Sequence, residues 1–230
     1  PITPLFSDYA HKKRFVWMMP GTSANYVNDS SLLDFPNGTV FIKNFYYDSV
    51  LPLLSRKILE TRLLFKKNGE WIFADYIWNE EQTEAYYNLD GSYQQVDWVH
   101  NGSNASVNFR IPSEAECHTC HKSNNLNTPI IPKPQNLNKL YSYTDGSVNQ
   151  LQKWQEVGYL SGNIPANVYS VVDWTDLAQP LDLRMRSYLD ANCAHCHSDE
   201  GHCYYRPIRL AYNKTDDPVN LGICVTAQQI

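Results

Sequence analysis

What most restricts the fold of this chain is the stretch from Asn37 to Arg110, where strand-length runs of β-branched and aromatic residues alternate with turn residues. TVFIKNFYY comes first. KILETRLLF and WIFADYIW then flank KKNGE, whose Asn68-Gly69 pair suits the left-handed backbone of a tight hairpin turn. Asp90-Gly91 marks a further turn before SYQQVDWV. Strand-sized runs separated by Gly and Asn predict an antiparallel sheet or sandwich rather than alternating βαβ units.

The character changes at Pro112. Ser113 followed by Glu116 has capping-box spacing, so a helix is expected to begin at Glu114 and to carry Cys117 on its first turns. Residues 122–140 are crowded with Asn and Pro and read as an ordered loop. Leu151, Trp154 and Val157 recur at helical spacing. A further helix should open at Pro180, with Leu181, Met185, Tyr188 and Leu189 on one apolar face, so that Met185 reads as core. The expectation is an α+β chain: a β-rich domain over residues 1–112, packing against a first cofactor, then a mainly helical and loop region over 113–230.

That second region contains ECHTCH at 116–121 and NCAHCH at 192–197. Each places two cysteines three apart with a histidine directly after the second: Cys117, Cys120 and His121, then Cys193, Cys196 and His197. On a helical turn these side chains share one face. Two thiols so placed can add to the two vinyl groups of a haem while the imidazole reaches the iron, so the motifs predict two covalently attached haem c groups with His121 and His197 as proximal metal ligands. A four-thiolate zinc site from Cys117, Cys120, Cys193 and Cys196 is the competing reading, but it leaves the histidine after each pair unexplained. A thioredoxin-like redox pair would need a βαβ setting that the sequence does not show.

The net charge of −5 offers no basic surface for nucleic acid. No apolar run approaches the roughly 20 residues of a membrane span. The start PITPLFSDYAHKK does not read as a signal peptide, so an exported chain would take its leader or anchor from outside these residues.

PLFSDYA at 4–10, FPNGTVFIKNFYY at 35–47, ETRLLF at 60–65, IWNEEQTEA at 77–85, PKPQNLN at 132–138, YLDANCAHCH at 188–197 and LGIC at 221–224 together resemble a family of bacterial di-haem c-type cytochromes. The β-rich first part also resembles, at a greater distance, the sheet cytochromes that include cytochrome c′-beta and the lysine-cross-linked hydroxylamine-oxidising enzymes. The resemblance implies haem attachment at the six residues of the two motifs. It also implies a distal Met-Pro segment beyond the LGIC stretch. Here the sequence stops at Ile230, so the second haem is expected to be the more exposed, or to take its sixth ligand from elsewhere.

Candidate sixth ligands are Met18, Met19, Met185, His11, His100, His118, His195 and His202, of which His118 and His195 occupy motif positions expected to face away from the iron. Arg110, Lys122, Arg184 and Arg186 are candidate partners for haem propionates, with solvated surface charge as the default. Subtracting the motifs leaves Cys203 and Cys224. A disulfide between them would close a loop of about 20 residues and contribute on the order of 3 kcal/mol. The function so predicted is electron transfer in the periplasm or another extracytoplasmic space, with a redox partner protein. The alternative is a haem oxidoreductase, a peroxidase or an oxidant of small nitrogen compounds, with one iron open to substrate.

Overall fold

The computed structural model describes residues 2–226. Along the chain run β1 (His11–Trp17), β2 (Ala24–Asn25), β3 (Val40–Val50), β4 (Ser55–Lys67), β5 (Glu70–Trp78), β6 (Ala85–Tyr87), β7 (Ser92–His100) and β8 (Ser103–Ile111). They are followed by α1 (Glu114–Cys120), β9 (Lys122–Ser123), β10 (Leu126–Asn127), α2 (Pro134–Leu137), β11 (Leu140–Tyr143), β12 (Gly146–Asn149), α3 (Gln150–Glu156), β13 (Leu160–Ser161) and α4 (Leu181–Asn192). The chain is α+β and mostly β. It divides into two compact units whose boundary falls inside α1, between His118 and Thr119.

The sheet unit comprises Phe6–Met19 and Asn37–His118. Its strands lie in the order β6-β5-β4-β3-β7-β8, and β1 runs beside β3. Antiparallel order follows from turn chemistry. Asn68 and Gly69 adopt φ of 52° and 86° between β4 and β5, as the hairpin reading required. Asn101 and Gly102, at 50° and 79°, do the same between β7 and β8. The long β3 is shared along one edge: β1 pairs with it from His11↔Tyr46 to Trp17↔Val40, and β7 meets its end at Val50↔Trp98.

A register shift at Phe45/Tyr46 leaves Leu59 as an extra residue in β4, and Leu59 is fully buried. It joins Ala10, Phe45, Tyr47, Val96, Trp98, Phe109 and Ile111 in one apolar cluster. Each large side chain so buried stabilises the unit by about 1.5–3 kcal/mol. The Tyr47 hydroxyl donates to the Asp8 carbonyl, which satisfies the polar end of a ring otherwise in the core.

The second unit gathers the residues up to Leu5, Pro20–Pro36, and the chain from Thr119 onward. Its regular structure is short. β2 pairs in parallel with β13, and β11 and β12 form a hairpin that feeds α3, whose first turn is capped by Asn149 Oδ1 accepting from Leu151 N at 2.9 Å. The stretch 122–140 is largely irregular, interrupted by the β9–β10 ladder and one turn of α2.

Helix α4 begins one residue after Pro180, as its composition predicted, but it does not bury the predicted face. Leu181 and Met185 are exposed, and the buried residues are Ser187, Asp190 and Ala191. The reason is a polar anchor. Asp190 accepts from Gln135 Nε2 at 3.0 Å and from Tyr212 N at 3.1 Å, with Lys133 Nζ at 3.3 Å. Ser187 Oγ accepts from Val172 N at 3.1 Å. Hydrogen bonding, rather than an apolar stripe, decides which side of α4 faces inward.

Candidate functional site

The first motif starts on a well-made helix terminus. Ser113 N and Oγ both donate to Glu116 Oε2, at 2.7 and 3.0 Å, and Arg110 binds the same carboxylate through Nη2 at 2.6 Å. The Arg110 guanidinium, followed by the Ser113 donors, holds the Glu116 carboxyl down at about 2. The capping reading is therefore correct, and it adds a role for Arg110. Cys117 and Cys120 sit on α1, and His121 follows its last residue.

A short hairpin then returns the chain to His121. Ser123 pairs with Leu126 across Asn124 and Asn125, whose φ values are 48° and 65°. Thr128 N donates to the His121 carbonyl at 3.1 Å, and the Thr128 carbonyl lies 3.0 Å from His121 Nδ1. A carbonyl only accepts, so Nδ1 carries the proton and the ring's lone pair is at Nε2. Asn124 N and Ser123 Oγ bond the Glu200 carbonyl and carboxylate at 3.1 and 2.6 Å, which ties this turn to the residues after the second motif.

The second motif grows out of the end of α4, held in place by Asp190. Cys193 N and Ala194 N both donate to the Leu189 carbonyl, and His197 N donates to that of Cys193 at 2.9 Å. His197 lines a cleft of about 340 Å³ with Arg206, Pro207, Ile208, Gly222, Val225 and Thr226. Its Nδ1 is buried and has no hydrogen-bond partner among the described residues. Burial first, then Arg209 and Arg206, lowers the pKa of this imidazole.

The two motifs meet. Among the described residues, one group of Cys and His could share a metal ion: donor atoms of Cys120, His195 and Cys196 lie within 4.8 Å of one another. His195 therefore faces the thiols, contrary to the expectation that this motif position turns away. Burial, then the proximity of Cys120 and Cys203, pushes the Cys196 thiol up to about 12. Burial alone raises Cys193.

The remaining candidates are placed elsewhere. Met18 is buried in the sheet unit, and Met19 is exposed beside Gly38, where a Cβ would lie 3.3 Å from its side chain. His11 stacks on Tyr46, His100 packs against Tyr9 and Trp98, and His118 sits edge-on to Phe73 with Nε2 3.8 Å from Glu114. His202 is exposed. Arg184 is bound to the Trp174 carbonyl and Arg186 to Thr215, Tyr212 and Asp216, and Lys122 lies in β9. The expected Cys203–Cys224 bridge is absent: none of the six cysteines is in a disulfide. Cys203 instead folds back on the second motif, with its N donating to the Cys196 carbonyl at 2.9 Å, while Cys224 is exposed. Sequence reading missed Arg206 and Arg209 beside His197, because isolated arginines in GHCYYRPIRL carry no spacing signal.

No family model matches the chain, and neither a curated protein nor a solved structure matches it. The resemblance to a di-haem cytochrome family is thereby corrected. No match supports membership, and the one potential metal-binding group among the described residues joins Cys120 of the first motif to His195 and Cys196 of the second. Among the described residues, no helix is long and apolar enough to cross a membrane.

Proposed function

We propose that the chain is an extracytoplasmic electron-transfer protein in which Cys117 and Cys120, and likewise Cys193 and Cys196, each bind a haem through two thioethers, with His121 and His197 as iron ligands. The observation that carries this reading is the Nδ1 contact of His121 with the Thr128 carbonyl, because it fixes the tautomer and orientation of an imidazole directly after a Cys-x-x-Cys pair, with Nε2 the nitrogen that would ligate iron. The residues fit the group. His197 faces a cleft whose walls include Pro207, Ile208 and Val225, with Arg206 able to meet a propionate. Attachment adds each S–H across a vinyl double bond: a C–S bond forms, the proton passes to the neighbouring vinyl carbon, and no net oxidation occurs. The bound haem would supply one-electron redox chemistry. The protein holds the proximal imidazoles and would dock a redox partner in an oxidising compartment.

A second reading rests on the group of Cys120, His195 and Cys196, which could ligate a zinc ion with one position left over. The readings exclude one another, since a sulfur alkylated by haem is no longer a thiolate ligand. Chain purified from a host competent in cytochrome c maturation decides between them. Haem attachment predicts an intact mass increased by two haem masses and a c-type pyridine haemochrome spectrum. Stoichiometric zinc with no bound porphyrin would establish the second reading instead.

A further inference from the structure

The sheet unit contains a second set of chemistry-bearing residues, and the strand register assembles it. Arg14 lies directly opposite Lys43, Lys43 opposite Arg62, and Arg62 opposite Asp75, so β1, β3, β4 and β5 contribute one row to a single face. The next row on that face is Lys12, Phe45, Glu60 and Ile77. Four cations and two carboxylates thus surround Phe45, whose ring lies 4.5 Å from Lys43 Nζ and 4.3 Å from the Arg62 guanidinium carbon.

The charges are unequally satisfied. Arg62 gives Nη2 and Nε to Glu60 at 2.5 and 2.8 Å. Arg56 and Arg110 likewise offer the Nε and Nη2 edge to Asp48 and Glu116. Arg14 is the exception among the four arginines of this unit, for its Nε and Nη2 are buried and find no acceptor among the described residues. A guanidinium does not shed its proton to escape this, and its two parallel donors match a carboxylate. Lys12 Nζ is held by the Ala10 carbonyl at 2.8 Å, and Lys43 is the cation directly opposite Arg14 on the neighbouring strand.

We propose that Arg14 and Lys43 form a buried anion site whose ligand is a carboxylate. Burial lowers the pKa of Lys12 to about 8 and that of Lys43 well below its ordinary value, and Arg14 and Arg62 add to both shifts as neighbouring cations whose repulsion an anion would offset. The carboxylate has two chemical sources: a free small acid, or a propionate of a porphyrin held at Cys117, which lies within electrostatic reach of Arg62 in the same unit. The site stands on the sheet alone and does not depend on the haem reading.

The test uses the full chain as isolated, its Arg14→Met variant, and Arg56→Met as a control at an exposed pair. Methionine replaces an unpaired buried cation with an apolar chain of similar length, so the variant should fold. If a free acid is the ligand, saturating succinate raises the melting temperature of the unsubstituted chain and of Arg56→Met by about 5 °C, and does nothing to Arg14→Met. If a propionate fills the site, succinate has no effect, but Arg14→Met lowers the midpoint potential of the haem that disappears in Cys117→Ala, since removing a nearby cation disfavours the reduced state. No succinate response together with an unchanged potential, or with no porphyrin bound, overturns the proposal.

Discussion

The carboxylate of Asp190 in α4 accepts a hydrogen bond from the Nε2 of Gln135 at 3.0 Å, joining two buried residues 55 positions apart. Three residues later in the sequence comes Cys193, so the orientation of the second motif is set by this contact and by the Lys133 and Tyr212 bonds to the same carboxylate. Asp190→Ala leaves a buried amide and a largely buried ammonium without their acceptor. It should lower unfolding free energy by about 3 kcal/mol, read as a shift in urea midpoint. Asp190→Asn retains part of the geometry and should cost less. Equal losses in both variants would show that the negative charge, and not shape, is what α4 requires.

Cys203 and Cys224 should both react with iodoacetamide in the native chain without reductant. Cys224 is exposed and should react first, while Cys203, partly covered beside Cys196, should follow more slowly. Peptide mapping that recovers the two cysteines joined would contradict the arrangement described for the second motif.

His195→Ala separates the two uses of the mixed cluster. Where haem occupies the motifs, His195 is not a ligand and the variant should keep its full porphyrin content. In chain prepared without porphyrin, the same substitution removes one of three donor groups and should weaken zinc binding by at least 10-fold. Loss of porphyrin on substitution would give His195 a part in the haem site itself.

The sheet was legible because its signals are local. Asn68-Gly69 specifies a hairpin through backbone sterics alone, and the same pair at Asn101-Gly102 carries the same local signal. The start of α1 was legible for the same reason: Ser113 and Glu116 contact each other within one turn. The inward face of α4 was not, because the residues that make Asp190 a buried partner lie at 133, 135 and 212. No periodicity within the helix could report them. The Arg14–Lys43–Arg62–Asp75 row was hidden for a related reason. Within its own strand each of these charges reads as part of the solvated face, and the alignment exists only once the register is known. The six motif residues were legible as chemistry, whereas the approach of Cys120 to His195 and Cys196 depends on how the chain between residues 121 and 193 folds.

Asp75 makes the stability of the sheet unit dependent on pH in a direction opposite to that of most carboxylates. It is buried beside Glu60, and burial first, then that neighbour, raises its pKa from 3.8 to about 8. Two carboxylates in contact need one proton between them, and Asp75 holds it. The folded chain therefore keeps a proton that the unfolded chain releases above about pH 4. Stability from this group is fully present below the unfolded pKa, declines as pH rises to about 8 with a slope of up to about 1.4 kcal/mol per unit, and is constant beyond. Lys12 acts in the other sense, because its pKa falls from 10.5 to about 8 on folding, so its contribution grows as pH rises above 8. Asp75→Asn supplies a permanent N–H to Glu60 in place of the acid's O–H. Urea midpoints measured from pH 4.5 to 10 should fall steadily up to pH 8 for the unsubstituted chain and be markedly flatter there for Asp75→Asn, with the limb above pH 8 unchanged. A variant that retains the original slope below pH 8 would place the shared proton on some other group.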